Sequence, residues 1–535
     1  MKLEYSSNRK NSIKTTPECT HQPQFLGESS VVNKMTAHLF SPRGKTLHPE
    51  GPEDVTKRSV GDDREGVELD SEFNTDKNTE DTENIIEPES EEEIEKTLVR
   101  LAALIAIIWT KERQQPPDPE EESMLAKSIR PKHSIVKALD DQQVKRILFS
   151  FAIIFCFSSA AEHITASMLQ ENPLSGDKGE TKFVVFLAKN GGVHAQAGDD
   201  MTEEKKQRRE GVTGEGNKEE MLRKDLLAWF NGTGAIDKTI VVQHCSDKVM
   251  KDAKNSKNSL EKGRKAFKES NVYESGEKIA SDIKRLCDAI NGGQAEKLVQ
   301  LAQTWIAKHE ELARNIYNEL DISKVTDKNR KEAIGRCLDA IEDLILLPRA
   351  LENLELFRDT VRAMDANLDI QFVDIDTVSK VPVKEIQDEI DKIEEEMNIS
   401  FKDVSVDNFL REFNAHGEIK LLTHLHKMSP AEREQMWKFI ACSKLPCFCC
   451  FYLIHNAEGY ATEKSHYKVY YPWPLPPELT REPGYLEGIE GLIERLEQRV
   501  RRACTVAGDG TGDAKFESLE KISETPWRLL SPPRK

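Results

Sequence analysis

The chain has 535 residues, of which 38% are hydrophobic and 32% charged, and its 76 Lys+Arg against 94 Asp+Glu give a formal net charge of −18. That length has room for about three to four domain-sized units, and the apolar share falls below the about 45–50% of ordinary globular chains, so part of it builds no core. The acidic balance excludes a general coat for nucleic acid or membrane, though not a pocket for one base or one short strand, and ten cysteines are too sparse for a disulfide scaffold.

Residues 1–90 hold the polar excess. Nine acids and no base lie between Glu80 and Glu95. Such a segment cannot bury enough apolar surface to offset its ordering entropy, so a disordered acidic tail is expected. The N-terminus has no apolar run of the kind a secretory signal needs, which points to an intracellular protein of cytoplasm or nucleus. Ile94, Leu98, Leu101, Ile105 and Ile108 fall at helical spacing, and Pro116 and Pro117 lie beyond that helix. Residues 112–134 read as a charged linker. Residues 144–163 read as a buried helix whose apolar run, 147–157, is too short to span a bilayer, so no membrane association is expected.

Residues 183–187 and 193–197 flank Asn190-Gly191-Gly192 and predict a β-hairpin. The polar stretch 199–220 reads as a loop, and 219–366 as mostly helical. There Ile279, Ile283, Leu286 and Ile290 form one face, stopped by Gly292-Gly293. Leu298, Leu301 and Trp305 continue on the next helix, and Ile334, Leu338, Ile341 and Ile345 form a further face, stopped by Pro348. No internal repeat is evident, and such a region also suits a protein partner. Beyond it, 370–375 alternates like a strand, 383–397 reads as a short acidic amphipathic helix, and 401–406 as a short extended piece.

The chemistry concentrates in residues 413–451, FNAHGEIKLLTHLHKMSPAEREQMWKFIACSKLPCFCCF. His416-Gly417-Glu418 opens an apolar helical pattern. Strand-like 437–442 runs into Pro446-Cys447-Phe448-Cys449-Cys450, which opens another. Pro446 suits a first turn. Cys447 and Cys450, three apart, share one face at a helix start, where the thiolate is favoured. With His416 as third ligand, a His-Cys-Cys set leaves the fourth tetrahedral position of a zinc ion for water. Glu418, two residues past the imidazole, is placed to move protons without ligating.

This H-x-E…P-C-x-x-C arrangement, with Ala441-Cys442-Ser443-Lys444 before it and Ser465-His466-Tyr467-Lys468-Val469-Tyr470-Tyr471-Pro472-Trp473-Pro474 after it, resembles the fungal/Orientia-type deaminase-like family of the cytidine deaminase-like zinc superfamily. The resemblance covers roughly residues 405–477. It implies an α/β/α fold, a mixed sheet with helices on its faces and the two zinc-bearing helices side by side. It also implies Zn(2+) held by His416, Cys447 and Cys450, and hydrolytic deamination of a nucleobase, nucleoside or single-stranded nucleic acid by zinc-activated water, with Glu418 shuttling protons. Asn414, Gly417, Ser443 and Pro446 flank the motif as candidate substrate contacts; for Asn414 and Ser443 a cap or turn role competes. Gly417 departs from the alanine usual at that position, which predicts a looser helix start. Cys449 points away from Cys450 and is expected to be packed or free rather than ligating.

The expected architecture is thus α+β. A disordered acidic tail (1–90) precedes a mainly helical domain (91–366) with a hairpin near 183–197, then a cytidine deaminase-like domain (367–504) and a flexible tail (505–535). The competing reading is a catalytically inactive deaminase-like zinc module in a helical protein-interaction scaffold. A third is a redox pair at Cys447 and Cys450. Tyr460, Tyr467, Tyr470, Tyr471 and Trp473 read as core strand aromatics rather than a stacking surface. His424 and His426 read as core or surface residues, and His455 and His466 as loop histidines. Arg495, Arg499, Arg501 and Arg502, with the basic stretch 205–224, read as solvated faces, though they are the plausible polynucleotide footprints.

Overall fold

The computed structural model describes residues 91–111, 139–157, 164–172, 182–190, 214–232, 238–270, 273–321, 323–375, 381–401, 415–456, 459–463, 465–471 and 473–508, with a few single positions between them. The acidic tail, the linker 112–134, the segment 193–197 and the chain beyond 508 lie outside the described residues. Among the described residues five strands form one mixed sheet: β1 (Thr165–Asn172), β2 (Lys182–Lys189), β3 (Asn367–Val373), β4 (Phe439–Cys442) and β5 (Ala461–Thr462). Their order is β3-β2-β1-β4-β5. β1 is central and antiparallel to both neighbours, with Thr165 opposite Lys189 and Ala166 opposite Cys442. β3 runs parallel to β2, and β5 parallel to β4.

Strand side chains alternate between faces, and here both faces are covered. Val184, Phe186 and Ala188 of β2 enter one core, while Phe183, Val185 and Leu187 enter another. The first core is closed by α1 (Glu91–Lys111), α10 (Val383–Met397), α11 (Gly417–Lys427), α13 (Phe448–Asn456) and α15 (Pro483–Gly508). The second is closed by α2 (Asp141–Ile154), α3 (Gly214–Phe230), α4 (Lys238–His244) and α9 (Leu346–Ala363). Arg100 of α1 ties the first layer together through Glu389 and Glu396 of α10 and Glu497 of α15. A third core, around Phe267, Ile283, Trp305 and Ile334, belongs to α5 (Ser246–Lys268), α6 (Tyr273–Asn291), α7 (Ala295–Glu319) and α8 (Val325–Leu344). Two short helices, α12 (Pro430–Gln435) and α14 (Pro477–Thr480), complete the described elements. Among the described residues, no helix is long and apolar enough to cross a membrane.

Four expectations need correction. The strand over 183–187 exists, but its antiparallel partner is β1, upstream, not 193–197. The helix expected over 144–163 ends at Ile154, and the apolar run outlasts it because Phe155 and Phe157 stay buried after the helix stops. Residues 214–220 belong to α3 rather than to a loop. Pro348 does not end α8; it lies in the first turn of α9, where its missing N–H costs nothing. The sheet takes β1 and β2 from before residue 366 and β3, β4 and β5 from after it. From Ile86 onward the chain is one unit.

Candidate metal centre

Two helix starts meet above the end of β1. His416 is the N-cap of α11, with extended backbone (φ −60°, ψ 149°), and its side chain makes no capping bond, which leaves the imidazole available. Gly417 follows where the helix presses on the sheet. A Cβ there would lie 2.7 Å from the Ala188 carbonyl oxygen and 3.2 Å from the Ala166 Cβ. The glycine therefore marks a tighter start, not the looser one expected from its missing side chain. Its N–H donates to Asn190 Oδ1 at 2.8 Å, just past β2.

The second start follows β4 through a short turn. Ser443 N–H donates to the Thr165 carbonyl at 2.9 Å, and its Oγ accepts the Thr165 N–H at 3.1 Å, so Ser443 fastens the end of β4 to β1. The buried Pro446 offers its carbonyl to the His466 N–H at 3.3 Å and to the Ser465 hydroxyl at 3.0 Å. Phe448 N–H donates to the Lys468 carbonyl at 3.0 Å. Arg499, buried rather than solvated, lies 4.5 Å from the Phe448 ring and donates to the Tyr467 carbonyl at 3.1 Å. It braces this turn, where Tyr467 adopts φ +58°.

These braces bring the predicted trio together. His416 Nδ1 lies 3.2 Å from Cys450 Sγ and 3.5 Å from Cys447 Sγ, and the three donor atoms fall within 4.8 Å of one another. Zinc with bonds of about 2.0–2.3 Å to N and S separates tetrahedral ligands by roughly 3.5 Å. The donor set and its spacing fit that ion. Cys449 is buried in the adjacent core and stands outside the trio. Two further bonds reach the sulfurs: Cys450 N–H to Cys447 Sγ at 3.4 Å, and Trp473 Nε1–H to Cys450 Sγ at 3.2 Å. Glu418 is 3% exposed, and its Oε2 has no hydrogen-bond partner.

Burial opposes charge at Cys447, but hydrogen bonding from Cys450 and the nearby imidazole outweigh it and hold this thiol well below the ordinary cysteine value. Burial, and then the Cys447 thiolate, push Cys450 well above it. At His416, burial works against protonation and the Cys447 thiolate overcomes it, raising the pKa. Glu418 is raised by burial against the pull of His416, and the Cys442 thiol donates to it. A raised carboxyl holds its proton closer to neutral pH, as proton-transfer chemistry requires.

The other candidates are placed as follows. Asn414 lies outside the described residues. Gly417 has committed its N–H to Asn190, and Ser443 and Pro446 serve the turn. His424 packs 4.8 Å from the Phe186 ring. His455 is not a loop residue: it sits on α13, 4.2 Å from the Phe451 ring, and burial lowers its pKa to about 4. Tyr460, Tyr467 and Trp473 are buried, as expected of core aromatics, whereas Tyr470 is 37% exposed. The roles of Asn190 and of the Trp473 N–H escaped the sequence reading. Asn190 carried only a turn signal, and Trp473 only the look of a core ring.

No curated protein and no solved structure matches the chain. Residues 415–477, which carry the imidazole, both sulfurs, Glu418 and Trp473, match the model of the OTT_1508_deam-like deaminase family, of the cytidine deaminase-like kind.

Proposed function

We propose that the protein is a zinc-dependent hydrolytic deaminase acting on a nucleobase ring, free or within a nucleoside or nucleic acid. His416, Cys447 and Cys450 would hold the ion. When bound, it supplies the Lewis acidity that makes water nucleophilic near neutral pH. Glu418 takes a proton from the attacking water and returns one to the departing amino group, so that the ring C–NH2 becomes C=O and ammonia leaves. Cys442 and the surrounding apolar core hold the Glu418 carboxyl in place and away from bulk solvent. Asn190 fixes the first peptide of α11 and thereby the direction in which His416 and Glu418 point.

The observation that carries this reading is a buried carboxyl with an unpartnered oxygen, two residues from a ligand of a three-donor metal site. The test is ammonia release from a panel of bases, nucleosides, RNA and single-stranded DNA by wild type and Glu418→Gln. Elemental analysis is expected to find one zinc per chain in both, lost on Cys447→Ser. Turnover should fall by about 100-fold or more in Glu418→Gln. Equal release by the two proteins removes Glu418 from the chemistry. A zinc-loaded chain that releases nothing from the panel leaves the module as a metal-stabilised binding platform.

A further inference from the structure

Four rings gather at the rim of the metal cluster. Tyr470 lies at their centre, its centroid 6.5 Å from that of His416, 5.1 Å from His466 at an interplanar angle of 88°, and 5.7 Å from Trp109 at 45°. Trp109 comes from the last turn of α1, far away in the chain, and is half-buried. Every other described tyrosine or tryptophan from 460 to 473 has been drawn into the protein to a greater degree than Tyr470. Core packing therefore does not account for Tyr470, which stays partly in water although it flanks a buried centre.

Cations accompany these rings. Exposed Lys468 stands two residues before Tyr470, and exposed Lys444 three before Cys447. Two segments that carry the cluster thus each hold an exposed lysine next to it in sequence, in a chain whose formal net charge is −18. A free nucleoside, with its reacting ring at Glu418, has no phosphate to offer those cations and no second ring to offer Tyr470. A single strand has both: each base has a face that stacks on an aromatic side chain whatever its sequence, and its phosphates pair with lysines.

We propose that Trp109 and Tyr470 form a stacking ledge beside the metal cluster, which receives the base next to the reacting one in a single-stranded polynucleotide, with Lys444 and Lys468 on its phosphates. The ledge rests on the deaminase reading above and narrows its substrate to a polymer. The zinc-loaded full chain should be titrated with labelled short single strands of DNA and of RNA, with duplex DNA and with mononucleotides, following anisotropy.

Tyr470→Ala, at a partly exposed position, and Trp109→Leu should each weaken strand binding by about tenfold. Tyr470→Phe and Trp109→Phe should retain it, and mononucleotide binding should not respond to any of the four. Lys468→Ala should lower the salt slope by about 1. Strands that bind no tighter than mononucleotides, duplex that binds as well as single strands, or alanine and leucine variants that bind like wild type overturn the ledge. Ammonia released equally well from nucleosides and strands sinks the ledge and leaves the deaminase standing. Strand binding that depends on Tyr470, with no ammonia from any substrate, sinks the deaminase and leaves the ledge.

Discussion

Trp473 puts one hydrogen bond on a thiol of the candidate metal site. Its indole N–H reaches Cys450 Sγ from a ring that is 5% exposed, so the donor cannot turn to water. Groups that orient metal ligands from behind are commonly worth about 10–100-fold in affinity. Trp473→Phe keeps most of the ring's bulk and removes the donor. Its zinc affinity, measured by competition with a chelator, should drop by a factor within that range, and the thiolate-to-metal absorption of the cobalt-substituted protein should shift. Unchanged affinity and absorption would show that the N–H does nothing for the sulfur. The trio itself was legible in the sequence because each member sits at a helix start announced by local signals: His-x-Glu before an apolar run, and Pro-Cys-x-x-Cys after a strand. Asn190 and Trp473 were not, since their roles depend on which polar atom they meet across the fold. Arg499 misled for the same reason: its neighbours Arg501 and Arg502 look alike in sequence, and only the packed structure turns Arg499 toward Phe448 and the Tyr467 carbonyl.

At the scale of elements, the seat of α11 is the most constrained contact near the site. Its first turn touches β1 and β2 so closely that a methyl group at Gly417 meets backbone. Gly417→Ala raises helix propensity in isolation, yet here it should destabilise the protein by about 1–3 kcal/mol, the usual cost of overpacking. A urea midpoint lower than wild type, with weaker zinc retention, is the expected result; a midpoint equal to or above wild type would mean that α11 can move off the sheet freely. Local pattern served well where an element carries its own signals. The acidic amphipathic helix over 383–397 matches α10 at both ends, and the strand before the Pro-Cys turn is β4. It failed at β1, whose residues TASMLQEN are buried along nearly their whole length and so lack the alternation that marks a one-sided strand. It failed again in choosing the partner of β2, because Asn190-Gly191-Gly192 offers a good turn while the actual pairing runs to the opposite flank.

Across the whole molecule, the helical core of α5–α8 carries charge that opposes folding. Burial, with Asp252, Asp339 and Glu342 adding to it and Lys248 opposing, raises the Asp343 pKa to about 7. Burial raises Glu342 to about 7 as well, against the pull of Arg314 and Arg349. Carboxyls whose pKa is higher folded than unfolded stabilise the protein fully below the unfolded value, near 4, and lose that contribution as pH rises through about 7. The urea midpoint of the full chain should therefore decline between about pH 4.5 and 7.5, and Asp343→Asn should flatten part of that decline. A midpoint that rises over this window, or a slope indifferent to the substitution, would place these acids in water. The existence of this third core was legible from the helical faces around Ile283 and Ile334. The division of the remaining helices between two faces of one sheet was not, because it depends on β3 pairing with β2 and β4 with β1 over large separations.

The central position of β1 has a consequence during synthesis. Ala166 pairs with Cys442, 276 residues later by subtraction of their numbers. At about 5–20 residues per second, a ribosome takes roughly 14–55 s to deliver that neighbour. Through that interval the nascent chain can close β1 only on its β2 side, while its other edge offers unsatisfied amides to any passing strand. Successful production of this protein thus depends on what shelters that edge until the segment carrying β4 emerges.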